Sequence, residues 1–187
     1  MGNVHIGARA RVLYGAVVDS EASRVEIGES TIVCENAVLR ATRTDAVEHA
    51  VIVGDHVMIG PHATLLGCRI ERTAYIATGA TVLHGARIGV GAVIAVGALV
   101  HAGTTIPDGF FVPPNAVALG EPVEIRGIVD PDGLTQAVKD VRFLAIAFGI
   151  QLGWEDPSVR YERAMEVRST EFAPHHQDVV LTPEHYG

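Results

Sequence analysis

The chain has few cysteines, no cluster of Lys and Arg and no long uninterrupted apolar segment, and each absence argues against a class of protein. Two cysteines, Cys34 and Cys68, among 187 residues are too few for a disulfide framework. Lys and Arg do not cluster into a phosphate-binding stripe and the net charge is -8, so nucleic acid is not an expected partner. No apolar run is long enough to span a bilayer, so no membrane association is expected. The composition predicts one cytoplasmic domain with an appended tail.

What the sequence does contain is a six-residue period. Neither a helix, with a period of 3.6, nor an alternating strand produces this spacing alone. Three such hexads form one coil of a parallel β-helix, whose coils hydrogen-bond about 4.8 Å apart. We therefore predict an all-β solenoid of about six coils over residues 1–123. The apolar residues that show the period, with one five-residue step after Leu65, are Val53, Ile59, Leu65, Ile70, Ile76, Val82, Ile88, Ile94, Val100, Ile106, Val112 and Ala118.

Two interruptions and a change of pattern complete the predicted architecture. Extra residues lie between Val18 and Ile27 and between Leu39 and Val53. Insertions leave a solenoid as loops, often on the binding face, so the polar segment 42–50 is a candidate functional loop. Residues 124–187 form a C-terminal helix and tail. Helical spacing predicts an α-helix over 131–148 packed alongside the solenoid, and a second helix from about Pro157 to Val167.

One segment carries a family resemblance. Residues 59–70 read Ile-Gly-Pro-His-Ala-Thr-Leu-Leu-Gly-Cys-Arg-Ile, which resembles the "(I/V)-G-H-x-x-x-L-H-G-C-x-I" motif of the γ-class carbonic anhydrase-like branch of the hexapeptide-repeat superfamily. Residues 119–123, Leu-Gly-Glu-Pro-Val, resemble the exit from that branch's last coil. The resemblance covers roughly residues 4 to 148. It implies a left-handed β-helix, assembled as a homotrimer with a site at each subunit interface.

The zinc ligands of that branch are not retained. Its three metal-binding histidines fall on Arg40, Pro61 and Leu66 in this sequence. None of these side chains offers the lone pairs that zinc requires. We therefore expect no metal cofactor, and the zinc-activated water of the family's hydratase mechanism is not carried over.

Seven residues near the altered positions are candidates for other chemistry. Arg40 is the candidate for binding a carboxylate or phosphate, with an ordinary salt bridge to Asp19 or Glu35 as the alternative. His62 is a candidate acid or base, or simply a corner residue. The proposed substrate-binding set is Arg40, Asp19 and His84; the proposed catalytic set is His62, Glu35, Cys34 and His49.

The remaining alternatives concern three of these positions. Cys34 acts as a nucleophile if an imidazole lowers its pKa, but a lone cysteine beside a core is more often a small hydrophobic residue. His49, in the inserted loop, is a candidate base or an exposed loop histidine. His84 and His101 are candidates to join His62 in a relocated metal site, although the register places them at different corners.

Four functions remain open at this stage, and the sequence does not decide whether the chain is an enzyme. The leading hypothesis is a trimeric protein that binds or converts a small anionic metabolite in an intersubunit pocket by metal-free acid-base chemistry. The second is an acyltransferase with a CoA ester as co-substrate and His49 or His62 as the base. The others are a non-catalytic structural trimer and a zinc carbonic anhydrase with relocated histidine ligands.

Overall fold

A computed structural model describes residues 3–21, 23–43, 48–126, 150, 152 and 155–171. Short parallel strands, joined by tight turns, form three sheets. Sheet A contains β1 (Asn3–Ile6), β4 (Arg24–Ile27), β9 (Val51–Val53), β12 (Arg69–Ile70), β15 (Arg87–Ile88) and β18 (Thr105–Ile106). Sheet B contains β2 (Arg11–Val12), β5 (Ile32–Val33), β10 (Met58–Ile59), β13 (Tyr75–Ile76), β16 (Val93–Ile94) and β19 (Phe111–Val112). Sheet C contains β3 (Val17–Asp19), β6 (Val38–Arg40), β11 (Thr64–Leu66), β14 (Thr81–Val82), β17 (Leu99–Val100) and β20 (Val117–Leu119).

The chain passes from sheet A to sheet B to sheet C and then rises to the next coil. Each sheet therefore receives one strand per coil, and the 6-stranded sheets give a left-handed parallel β-helix of six coils, as predicted. After the last coil, β21 (Glu124–Arg126) turns back and pairs antiparallel with β20. The predicted loop 42–50 includes a two-stranded antiparallel ribbon of β7 (Thr42–Arg43) and β8 (Glu48–His49).

The core is the column of aliphatic side chains inside the coils. Every hexad residue from Val53 to Ala118 is at most 2% exposed, because neighbouring coils cover them and Val123 and Ile125 pack against the same core. The equivalent residues of the first coil are more open: Ile6 is 48% and Val12 38% exposed. The hexad pattern therefore predicted the inward positions correctly, with reduced burial at the N-terminal end of the stack.

One helix, α1 (Pro157–Glu171), covers the outer face of sheet B. Asp156 caps it by accepting the backbone N–H of Val159 at 3.1 Å, and Pro157 occupies the first helical position, where its missing N–H costs nothing. This confirms the predicted second helix. The predicted helix over 131–148 lies outside the described residues.

Tyr161, Ala164 and Met165 are the buried residues of α1 that pack on sheet B. The ring of Tyr161 lies 5.6 Å from that of Tyr75. An ion pair between Arg72 and Glu162 adds a polar contact between coil and helix. In the part of the chain that the structure describes, α1 included, no helix is both long and apolar enough to cross a membrane.

Candidate functional site

The corner at which the chain passes from sheet C to sheet A, here called the C–A corner, collects both insertions. The strand register aligns Asp19 with Arg40 and Arg40 with Leu66 on neighbouring strands. The backbone N–H groups of Leu83 and His101 continue the same ladder, donating to Val100 and Ala118. Each of these five residues directly follows an inward hexad residue in the sequence, and together they form one outward column along sheet C.

Arg40 is held between two carboxylates on this column. Its Nε lies 3.5 Å from Asp19 Oδ2, and its Nη2 donates a hydrogen bond to Glu21. The hydrogen bond and charge of Glu21, and then the charge of Asp19, raise the pKa of Arg40 above its ordinary value. Of the two salt-bridge partners considered from the sequence, Asp19 is the one observed, and Arg40 would have to exchange partners to bind an anion.

His49 and His84 come together at the same corner. Their ring centroids are 5.8 Å apart and the rings meet edge to face at 64°. β8 carries His49 across the corner glycines, and the Cε1 atom of His49 lies 3.6 Å from where a Cβ of Gly85 would stand. Gly67 and Gly85 both have positive φ, of 47° and 72°, so these corners suit glycine for conformational as well as steric reasons.

A pocket of about 250 Å³ opens beside this histidine pair. Glu48 is tied to the other insertion because its Oε1 accepts a hydrogen bond from Ser23 Oγ at 2.8 Å. Arg69 and Arg87, on strands β12 and β15 of sheet A, bring positive charge to the pocket. The lining residues are Glu48, His49, Ala50, Gly67, Cys68, Arg69, Gly85, Ala86 and Arg87.

Glu35 and His62 lie at a different corner, where the chain passes from sheet B to sheet C. The His62 backbone N–H donates to the Glu35 carbonyl at 3.0 Å, and both side chains are exposed. His62 has φ of 58°. That conformation recurs at Gly15, Asn36, Gly79, Gly97 and Asn115, so it belongs to the repeated turn. Within one chain, sheet C separates Glu35 and His62 from Arg40, His49 and His84.

Comparison with known proteins agrees with this architecture. Over 82 residues the chain is 39% identical to gamma carbonic anhydrase 3, mitochondrial, of Arabidopsis thaliana, covering 43% of this chain and 32% of that protein. It is 34% identical over 82 residues to a probable carbonic anhydrase of Methanocaldococcus jannaschii, covering 44% and 49%. No family model matches the chain.

The solved structures support the same fold. A putative acetyltransferase from Bacillus cereus is 25% identical with a TM-score of 0.55, covering 90% of this chain and 83% of that one. A hexapeptide transferase family protein from Anaplasma phagocytophilum is 23% identical with the same TM-score of 0.55, covering 79% and 82%. The chain is therefore similar to γ-class carbonic anhydrases over less than half of its length, and its fold is the parallel β-helix of hexapeptide-repeat proteins. The chain spans only 32% and 49% of the length of these two curated relatives.

The zinc ion that the sequence resemblance implies does not fit the residues at the matching positions of this chain. Arg40 and Leu66 are neighbours in register, as the resemblance implies, but a guanidinium cation and an alkyl side chain offer no ligand atom. Pro61 at the other corner offers none either. Among the described residues, no three His, Cys, Asp or Glu side chains come together as a metal site.

Both cysteines are buried, in different surroundings. Cys34 is 1% exposed and lies in the apolar layer between sheet B and α1, together with Ile32, Met58 and Met165. Cys68 is 2% exposed in the solenoid core, where burial raises the pKa of its thiol to about 12. The packing of Cys34 is that of a small hydrophobic residue; its role as a nucleophile stays a prediction.

The sequence did not single out Arg69, Arg87 or Ser23. A signal for the two arginines was present, because the hexad register places them one coil apart in the same outward position of sheet A. No comparable signal exists for Ser23, whose hydrogen bond with Glu48 joins two insertions that do not follow the repeat.

Proposed function

We propose that this protein binds a small anionic metabolite at the C–A corner and transfers a proton to or from it without zinc. The observation that carries the proposal is the edge-to-face contact of His49 and His84, at 5.8 Å, beside a pocket lined by two arginines. Histidine exchanges protons near neutral pH, and arginine attracts an anion without competing for the proton.

Each residue then has a distinct task. His49, on the inserted ribbon, lines the pocket and accepts or donates the proton. His84 contacts the edge or face of the His49 ring and limits the orientations which that ring adopts. Glu48, fixed by Ser23, accepts a hydrogen bond from a donor group of the ligand. Such positioned acid-base groups contribute about 10²–10⁴-fold to rates.

A binding assay with matched histidine variants tests this function. We would measure binding of a panel of carboxylates and phosphorylated metabolites by calorimetry to the wild type and to His49→Gln, His84→Gln and His101→Gln. His101 is exposed on the same corner but outside the pocket lining, so it is the control. We expect the first two variants to lose affinity and the third to keep it. Unchanged binding in His49→Gln would contradict the proposal.

We also propose that sheet C is the face that packs against further copies of the chain in a trimer. α1 covers sheet B, and ion pairs such as Arg69–Glu71 lie on sheet A. The outer side of sheet C carries Val17, 49% exposed, and the partly exposed Leu83 and Leu99. This packing supports an intersubunit site, because it would bring Glu35 and His62 of one subunit towards Arg40 and Asp19 of another.

Light scattering on the wild type and on Leu99→Glu tests the assembly. We expect a trimer that dissociates in the variant, since a charge on a desolvated apolar contact is costly. Leu99 is partly exposed in the single chain, so the substitution leaves the core unchanged, and circular dichroism checks that the variant folds. A monomeric wild type, or a trimer that survives the substitution, would contradict this proposal.

A second candidate is acyl transfer from a CoA ester, with His49 as the base that deprotonates the acceptor. It is favoured by the similarity to the putative acetyltransferase of Bacillus cereus, which extends over 90% of this chain. Saturable CoA binding, followed by acetyl transfer that His49→Gln abolishes, would support this candidate. Absence of CoA binding at millimolar concentration would leave the metabolite-binding function.

A further inference from the structure

Arg69 and Arg87 occupy the same outward position on adjacent strands of sheet A, but their surroundings differ. Arg69 is followed two residues later by Glu71, and its Nε donates to Glu71 Oε1 at 2.7 Å. At the matching place after Arg87 stands Gly89. Arg87 forms no ion pair and no side-chain hydrogen bond with any residue that the structure describes. Of two stacked arginines in one pocket, only Arg69 is neutralised.

The missing acid is a consequence of the coil geometry. A Cβ atom at Gly89 would lie 2.5 Å from the backbone nitrogen of Asp108 and 2.6 Å from its Oδ1, so a glutamate does not fit at that position. The Asp108 carboxylate is engaged elsewhere, because its Oδ1 accepts the Val90 N–H at 2.8 Å. The close approach of neighbouring coils thus leaves the charge of Arg87 uncompensated at the pocket.

From this difference we infer that Arg87 anchors the ligand by binding a single oxyanion group, a carboxylate or a phosphate. The inference rests on the proposed function and names its substrate class. A guanidinium offers two parallel N–H donors that match an oxyanion, and Arg87 has those donors available. Glu48, which also lines the pocket, disfavours a second anionic group by like-charge repulsion. The ligand is therefore a small metabolite with one oxyanion head and a hydrogen-bond donor that reaches His49 or Glu48.

The pocket size agrees with a small ligand. Its volume of about 250 Å³ is below the usual 300–1,000 Å³ of drug-sized sites. A nucleotide or a whole CoA molecule would extend well outside it. Only the acyl end of a CoA ester would fit inside the pocket.

An NMR titration tests whether Arg87 binds the anion. It follows the imidazole proton resonances of His49 and His84 while an anion is added. Sodium phosphate and sodium acetate are the two probes, each added at constant pH and ionic strength against sodium chloride. The variants are Arg87→Gln, which removes the charge, and Arg24→Gln as the matched control. Arg24 is on the same sheet, paired with Glu26 at 2.8 Å, and lies outside the pocket lining.

We expect saturable shifts of both histidine resonances in the wild type. The apparent affinity for the anion should be at least about tenfold lower in Arg87→Gln and nearly unchanged in Arg24→Gln, since a charge-assisted hydrogen bond is lost only in the first variant. Saturation with acetate alone assigns a carboxylate, and with phosphate alone a phosphate.

Two results would overturn the anchor. If Arg87→Gln binds the anion as tightly as the wild type, another group binds the anion. The histidine shifts persist in that case, so the proposed function is unaffected. If neither probe gives saturable shifts in the wild type, Arg87 does not bind a simple oxyanion. The metabolite panel with His49→Gln then decides independently whether the histidine pair functions.

Discussion

Gly67 lies directly against His49: a Cβ atom added at Gly67 would stand 2.4 Å from the Cβ of His49. Gly67 also has φ of 47°, in the left-handed region that favours glycine. The corner therefore allows β8 to bring His49 to His84 only because residue 67 has no side chain. This contact links the five-residue corner after Leu65 to the proposed site.

We expect Gly67→Ala to displace His49 and to weaken anion binding. The matched control is Gly103→Ala, at the same corner two coils further on, where φ is 71° but nothing lies within 4 Å of the added Cβ. The control should lose about 1–2 kcal/mol from backbone strain alone, and Gly67→Ala should lose more. Urea unfolding and the histidine resonances measure both effects; equal loss in the two variants would contradict the contact.

Met165→Ala is expected to detach α1 from sheet B. Met165 is 1% exposed in the layer that also contains Cys34, and truncating a buried methionine costs about 2–5 kcal/mol. Val159→Ala, on the same helix at 51% exposure, should stay within about 0.5 kcal/mol. Hydrogen exchange of the α1 amides measures the loss. Similar protection in both variants would show that the buried face does not hold the helix.

The buried Cys68 thiol is expected to make the folded protein less stable at alkaline pH. Burial raises its pKa from 9.0 to about 12, so the folded state retains the thiol proton that the unfolded state releases. The resulting stability is complete below pH 9 and is lost as the pH rises from 9 towards 12. Unfolding at several pH values should show this loss in the wild type and less of it in Cys68→Ala. A parallel dependence in both would contradict the assignment.

Arg40→Gln should weaken anion binding less than Arg87→Gln does. Two carboxylates, of Glu21 and Asp19, already neutralise Arg40, whereas Arg87 has no such partner among the described residues. The phosphate titration compares the two variants. If Arg40→Gln abolishes binding and Arg87→Gln preserves it, Arg40 is the residue that binds the anion, as the sequence first suggested.

The solenoid was predictable from sequence because one geometry repeats. A corner every six residues places Ile59, Ile76 and Ile94 on the same inward line, and all three are fully buried. The helix starting at Pro157 was also predicted, although it ends at Glu171 and not near Val167. The same local reasoning placed Asp19, Arg40 and Leu66 in one column.

The site was less predictable because it depends on contacts outside the repeat. His49 reaches His84 through the pairing of β7 with β8 and the bond between Ser23 and Glu48, which no periodicity encodes. The burial of Cys34 depends on α1, a helix far along the chain. His62 and Glu35 remain predictions about an assembly, since one chain keeps them apart from Arg40.

We propose that this site works without zinc, and the metal content of the protein tests that proposal. The measurement is elemental mass spectrometry of untagged, chelator-washed protein, expressed as metal ions per chain. We predict far less than one zinc per trimer, because Arg40, Pro61 and Leu66 cannot act as ligands. One zinc per subunit that survives the wash would contradict the claim and would direct the search for ligands to the remaining histidines.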